Sequence, residues 1–226
     1  MNGKKSNPTR SILVVGAVVF ALAALGFILL YRYCALDQAI RNQEAHNVVL
    51  ARALANVLWS RFAGHIKNAT PGKLEELRSG AATVALGREI AAFVDGTPVH
   101  RVKVYNTDGL TVFSSNLGQI GEARAHHPRF RATMDRRAPH STLGFRDAFT
   151  GFEGTRRAIH LVETYIPIEG PGGAIEGVFD LYTDARATLE QVWTSTIRFG
   201  AAVTAIMAIL YGLLFFAVRS ARRNMA

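Results

Sequence analysis

Between Gly118 and His140 the chain gathers Arg124, His126, His127, Arg129, Arg131, Arg136, Arg137 and His140. Guanidinium groups grip carboxylates through paired N–H bonds, and partly protonated imidazoles add further donors. A small anion such as an organic acid suits that chemistry. A solvated basic loop fits the same composition, and both readings stand at this point. Metal chemistry is poorly served. His126 and His127 are adjacent, so they point to opposite faces of a strand or diverge by about 100° on a helix. No His-x-x-x-His pair or cysteine-containing ligand spacing occurs. Ser114, His160 and Asp180 supply the residue types of a hydrolytic triad, yet no Gly-x-Ser-x-Gly elbow surrounds Ser114. Glu153 and Glu163 fall where a turn and an exposed strand face are expected, which argues against a carboxylate pair. The sequence therefore predicts no catalytic residue, no metal and no cofactor.

The elements that would carry this segment begin at a membrane. Ser11 to Tyr31 and Phe199 to Val218 contain no charged residue, and each is close to the roughly 20 residues a helix needs to cross a bilayer. The 226 residues carry a net charge of +9, which at first points to nucleic acid, but its distribution points elsewhere. Lys4, Lys5 and Arg10 precede the first run, Arg219, Arg222 and Arg223 follow the second, and neither tail contains an acid. Basic tails stay cytoplasmic and meet anionic lipid headgroups. The expected layout is a cytoplasmic tail (1–10), a first span (11–31), an extracytoplasmic domain (32–198), a second span (199–218) and a cytoplasmic tail (219–226). The first run is longer than a signal-peptide core and has no small-residue cleavage site after it, so it is expected to stay as an anchor. That layout excludes nucleic acid as a partner of the middle region. Cys34 is the only cysteine, which leaves a free thiol near the bilayer or a symmetric contact with a second copy.

From Tyr31 to Phe62 there is neither Gly nor Pro. Leu50, Leu54, Leu58 and Phe62, with Val57 beside them, draw one apolar stripe along a helix continuing from the first span. Thr70 and Pro71 are placed as cap and first residue of the next helical segment. Leu74–Ser79 and Thr83–Val94 read as short helices. Val99–Tyr105 alternates apolar and polar residues, Asn106-Thr107-Asp108-Gly109 is a hairpin turn, and Leu110–Ser115 alternates again. Pro128–Arg137 reads as a short helix, and Ser141–Phe149, Arg157–Ile168 and Ala174–Tyr182 as strands. Asp184–Arg198 reads as a helix that enters the second span. Five antiparallel strands after helices make an α+β domain.

This order, together with the wording Val104-Tyr105-Asn106-Thr107-Asp108-Gly109-Leu110-Thr111-Val112-Phe113-Ser114-Ser115, Ile120-Gly121-Glu122, Arg146-Asp147-Ala148-Phe149-Thr150-Gly151-Phe152-Glu153-Gly154, Tyr165-Ile166-Pro167-Ile168 and Gly177-Val178-Phe179-Asp180-Leu181-Tyr182-Thr183-Asp184, resembles the single-Cache branch of PAS-like extracytoplasmic sensors. Such domains are the input regions of bacterial sensor histidine kinases and diguanylate cyclases. The resemblance implies a PAS-like five-stranded sheet behind a long N-terminal helix. It also implies a ligand pocket between the sheet and the segment crossing it, here about Gly118 to His140. Tyr105, Ser114, Arg129, Arg131, His140, Arg146 and Tyr165 are the ligand-binding residues expected on that basis, with a small, anionic ligand. Members of the class continue beyond the second span into a catalytic or phosphotransfer domain, whereas eight residues follow Val218 here. The chain thus reads as an input module without its output. Its expected partners are a ligand, membrane lipids, a second copy of itself and a separate signalling protein. The contrasting expectation is a ligand-free membrane scaffold that dimerises or docks a partner.

Overall fold

After Pro8 no proline occurs before Pro71, and in the computed structural model, which describes residues 8–223, that stretch forms one helix, α1 (Pro8–Lys67). The basic positions Lys4 and Lys5 lie outside the described residues. Two short helices follow, α2 (Leu74–Ser79) and α3 (Ala81–Val94). Then come β1 (Val99–Tyr105), β2 (Thr111–Ser114), α4 (Pro128–Arg136), β3 (His140–Gly151), β4 (Gly154–Glu169), β5 (Ile175–Asp184) and α5 (Arg186–Arg223). These bounds lie within a few residues of the sequence expectation for every strand. The described residues fall into two units, one made of the outer ends of α1 and α5, up to Gln38 and from Thr188, the other of Ala39–Ala187.

The first unit is wholly helical. Its two segments are long and apolar enough to cross a membrane, with peak mean hydropathies of 2.9 and 2.4. Tyr31 stacks on Phe199 with ring centroids 4.2 Å apart, and the Tyr211 hydroxyl donates to the Leu13 carbonyl at 3.2 Å. A Cβ at Gly16 would touch Leu214, and one at Gly200 would touch Ile28. Gly16 and Gly200 therefore sit where the two helices come close.

The second unit is built on a single antiparallel sheet in the order β2-β1-β5-β4-β3. One face takes the helices. Val102, Val104, Ile166, Ile168, Phe179 and Leu181 pack there with Leu54, Leu58 and Phe62 of α1 and with Leu86 and Ile90 of α3. The apolar stripe on α1 is thus a core stripe. Val57 departs from it and is 52% exposed, because one residue before Leu58 the helix has turned by about 100°. Thr70 precedes a short 3-10 turn at Pro71 without using its side chain as a cap. At the centre of the helix face sits a polar clasp. Asn47 of α1 is buried, donates from Nδ2 to Thr164 Oγ1 at 2.8 Å, and accepts at Oδ1 from the Thr183 hydroxyl at 3.0 Å. Trp59 and Lys67 add bonds from α1 to Glu176 at the start of β5.

The other face of the sheet is not wet. Alternation in β1 predicts a solvated side, yet six of its seven residues are buried and the seventh, His100, is half-buried. Two pieces of chain cover it. The segment after β2 runs back along that strand, with Thr111 N–H donating to Glu122 O, Gly121 N–H to Thr111 O, and Arg124 N–H to Gly109 O. Gly109, at φ +75°, permits the crossing, since a Cβ there would lie 2.5 Å from the Ala125 nitrogen. The β3–β4 hairpin curls over from the other edge until Phe152 N–H donates to His100 O at 2.9 Å. Gly151 allows that contact, because a Cβ would lie 2.0 Å from the same carbonyl.

Removing the clasp leaves the buried Thr183 hydroxyl without the acceptor it uses, and Thr164 Oγ1 with the Ser141 hydroxyl in place of two donors. Asn47→Ala is expected to lower unfolding stability by about 1–3 kcal/mol, measured by chemical denaturation of the full chain in detergent micelles, while Gln43→Ala, whose amide only supports Asn47 from the half-exposed side, costs less.

Candidate functional site

Cross-strand partners share a face of a sheet, and the register lays two polar rows side by side on the covered face. Arg101 of β1 stands opposite Tyr182 of β5, which stands opposite Glu163 of β4. In the adjacent row Lys103 stands opposite Asp180, and Asp180 opposite Tyr165. Over these rows lies a cavity of about 380 Å³, walled by Arg124 and His127 of the crossing segment, Arg129 of α4, and Arg146, Phe149 and Thr150 of β3.

Five cations line this cavity (Arg101, Lys103, Arg124, Arg129 and Arg146) against one carboxylate, Glu163. Glu163 is buried and engaged with Arg129, with Arg146 at 3.5 Å, and with the Tyr182 hydroxyl, which donates to it at 3.0 Å. The sequence expectation of an exposed Glu163 is therefore corrected, since the curled hairpin and the crossing segment close over its strand. Arg124 pairs with Glu122 at 2.8 Å. The two cations on β1 are different. Arg101 is held by neutral groups: Nε donates to Thr150 O at 2.7 Å, Nη1 to Gln119 Oε1 at 3.1 Å, and the guanidinium lies 3.8 Å over the Phe149 ring. Lys103 is 2% exposed, and among the described residues its ammonium makes no hydrogen bond or salt bridge. Burial lowers the pKa of both groups.

Beneath the cavity Asp180 is fully buried. The Tyr105 hydroxyl donates to its Oδ2 at 2.9 Å, and its Oδ1 has no hydrogen-bond partner. Burial, then the charge of Glu163, pushes its pKa up to about 7 from an ordinary 3.8, against the opposing pull of Lys103. Tyr105 stacks with Tyr165 at 5.9 Å and meets Phe130 of α4 edge-on. His127 lies parallel to Tyr165 with its Nδ1 buried and unpartnered, and burial followed by the Arg124 charge lowers its pKa.

Of the residues expected from sequence, Arg129, Arg146 and Tyr165 line the cavity. Tyr105 lies below it on Asp180. Ser114 is buried on β2, accepting the Asn116 N–H at 3.1 Å. Arg131 is exposed on α4, and His140 is half-buried opposite Tyr165 at the start of β3. Arg101, Lys103, Asp180 and Tyr182 were not anticipated as site residues. Their signal was the period-two series Arg101–Lys103–Tyr105. No hydrogen bond joins any two of Ser114, His160 and Asp180, and His160 is exposed beside Phe145. Among the described residues no cluster of three or more metal-ligand side chains occurs.

No protein-family model and no curated protein matches the chain. Solved structures similar to it include the periplasmic domain of RsbU from Chlamydia trachomatis, at 10% identity and a TM-score of 0.45, covering 76% of this chain and 56% of that one. A sensory box/GGDEF family domain from Vibrio parahaemolyticus shows 9% identity and a TM-score of 0.34, covering 68% and 64%. The PAS domain of BvgS from Bordetella pertussis shows 18% identity and a TM-score of 0.30, covering 49% and 96%. The five-stranded antiparallel sheet in the order β2-β1-β5-β4-β3 behind a long N-terminal helix is the PAS-like arrangement that the sequence resemblance implied. The chain spans little more than half of the RsbU domain that it matches.

Because the folded pKa of Asp180 lies above its ordinary value, its protonated form favours folding. That contribution is complete below about 3.8 and is lost as pH rises through about 7. Asp180→Asn, which keeps an acceptor for Tyr105, is expected to melt higher than the wild type at pH 8, with the difference shrinking as pH falls from 7 toward 4. Melting curves across that range check it.

Proposed function

We propose that the chain is a membrane-anchored sensor whose PAS-like domain lies outside the cytoplasmic membrane and binds a small anion, a carboxylate or a comparable oxoanion, in the cavity above β1. One observation carries this reading. Arg101 and Lys103 project side by side into a covered cavity with no carboxylate bonded to either. A buried ammonium without a hydrogen bond or ion pair, facing only the Tyr182 ring at 5.9 Å, is costly, and a bound anion would complete both groups with charge-assisted bonds. The aromatic floor of Tyr165 and Tyr182, with Phe149 under the guanidinium, fixes where those bonds are available.

In this reading the two apolar helices are the membrane spans on either side of the domain, and the basic tails lie on the cytoplasmic side. Relay would pass along α1 and α5, to a second copy or to a separate signalling protein. An anion biases that relay only if it binds two arrangements of the domain with different affinity.

Melting of the full chain in detergent micelles is the test, with acetate, succinate, malate and sulfate set against neutral amino acids and divalent cations. An anion at about 100 times its Kd adds about 2.7 kcal/mol to stability, which raises Tm by about 5–10 °C for a chain of this size. Lys103→Met and Arg101→Gln are each expected to abolish the shift, while Arg131→Gln keeps it. Stabilisation by none of the anions would overturn the sensor reading and leave a ligand-free scaffold in its place.

A further inference from the structure

We infer that the cavity takes up its anion together with a proton, which Asp180 carries, so that one site reads anion concentration and acidity jointly. This rests on the anion-binding reading and adds its regulation. The geometry is a directly opposed pair. Lys103 of β1 and Asp180 of β5 are register partners on the covered face, the lysine 2% exposed and the aspartate fully buried. With Asp180 ionised, the ammonium has its counter-charge in the floor of the cavity. With a proton on Asp180, that counter-charge is gone and the ammonium is released to whatever occupies the space above. An anion and an ionised Asp180 thus compete for the same cation. Asp180 Oδ1 has no partner, so nothing in the fold is broken when the proton arrives there, and Oδ2 keeps the Tyr105 hydroxyl.

The surrounding charges do not provide another answer. Glu163 on β4 is tied to Arg129 of α4 and to Arg146 of β3, and Arg124 of the crossing segment is tied to Glu122. Arg101 is seated on neutral acceptors. Burial raises the phenol pKa values of Tyr105, Tyr165 and Tyr182, so they stay neutral. His127 is the remaining titratable group that faces the cavity. Burial lowers its pKa below the ordinary 6.5, whereas that of Asp180 is raised to about 7, so the aspartate takes its proton first as pH falls.

Isothermal titration of the full chain in detergent micelles tests this with acetate and sulfate, whose charges are fixed between about pH 6 and pH 8. Repeating the titration in buffers of different ionisation enthalpy counts the protons. The expected result is about tenfold weaker binding at pH 8 than at pH 6, from a group titrating near 7, with close to one proton taken up per anion at pH 8. Asp180→Asn is expected to bind at pH 8 as tightly as the wild type at pH 6, without proton uptake. Affinity independent of pH, with no proton uptake by the wild type, overturns the linkage and leaves the anion site standing. A pH dependence retained in Asp180→Asn and lost in His127→Gln also overturns it, by moving the proton to His127. Binding of neither probe at any pH, in the wild type or in Asp180→Asn, overturns the anion reading and this inference with it.

Discussion

A lysine and an arginine two residues apart on β1 point under a roof instead of into water, and much of the domain is arranged around that fact. A charged group withdrawn from water costs several kcal/mol unless it is paired or hydrogen-bonded. For Arg101 the remedy is local: a carbonyl of the β3–β4 hairpin, a glutamine of the crossing segment and the ring of Phe149. Each comes from a different element, so the guanidinium is held where those elements converge. Lys103 has no hydrogen bond, only the Tyr182 ring 5.9 Å from its ammonium, and the carboxylate directly across the sheet supplies field in place of a bond. The edges of the sheet therefore have to fold inward, and the glycines at 109 and 151 are the points at which close backbone approach allows it.

The same rows explain why the sheet needs two unlike faces. Strand periodicity sends alternate residues to opposite sides, so Glu163 and Tyr165 face the cavity while Thr164 between them faces α1. Likewise Tyr182 faces the cavity and Thr183 faces α1. The apolar helix face provides the burial that holds the domain together, through Val102, Val104, Phe179 and Leu181. The polar face contributes far less to that core and more to chemistry.

Most of the fold was legible because it follows from local rules. The turn at Asn106–Gly109, the glycines between β3 and β4, Pro128 at the head of α4 and the two charge-free runs each declare themselves in sequence, and the structure puts elements where they predict. The site was only partly legible. Arg129 and Arg146 stood out as cations, but Lys103 and Arg101 looked like the wet side of an amphipathic strand. Whether a polar strand face meets water depends on what crosses it, and that is set by the return of the segment after β2 and by the curl of the hairpin, both non-local. Glu163 was misread for the same reason. Val57 was misread for a simpler one, since a stripe at four-residue spacing excludes the residue just before each contact. The basic segment from Gly118 to His140 divides along its length: Arg124, His127 and Arg129 line the cavity, while Arg131 and Arg136 are exposed.

The sheet is one residue thick, and this gives the cavity a mechanical route to α1. Glu163 and Tyr182 form the floor, and the next residues along their strands, Thr164 and Thr183, are both bonded to the single side chain of Asn47. A change in charge above the floor that draws β4 and β5 apart, or lets them close, acts on the two arms of that clasp at once. Hydrogen bonds weaken steeply with changes in length or angle, so under the proposed relay the clasp would follow such a movement where an apolar contact would slip. The clasp is also polar at a place where the neighbouring core is aliphatic, and a valine or leucine at position 47 would suit burial alone. Its presence therefore fits a requirement for registry between α1 and the two strands, which a relay of the proposed kind would use.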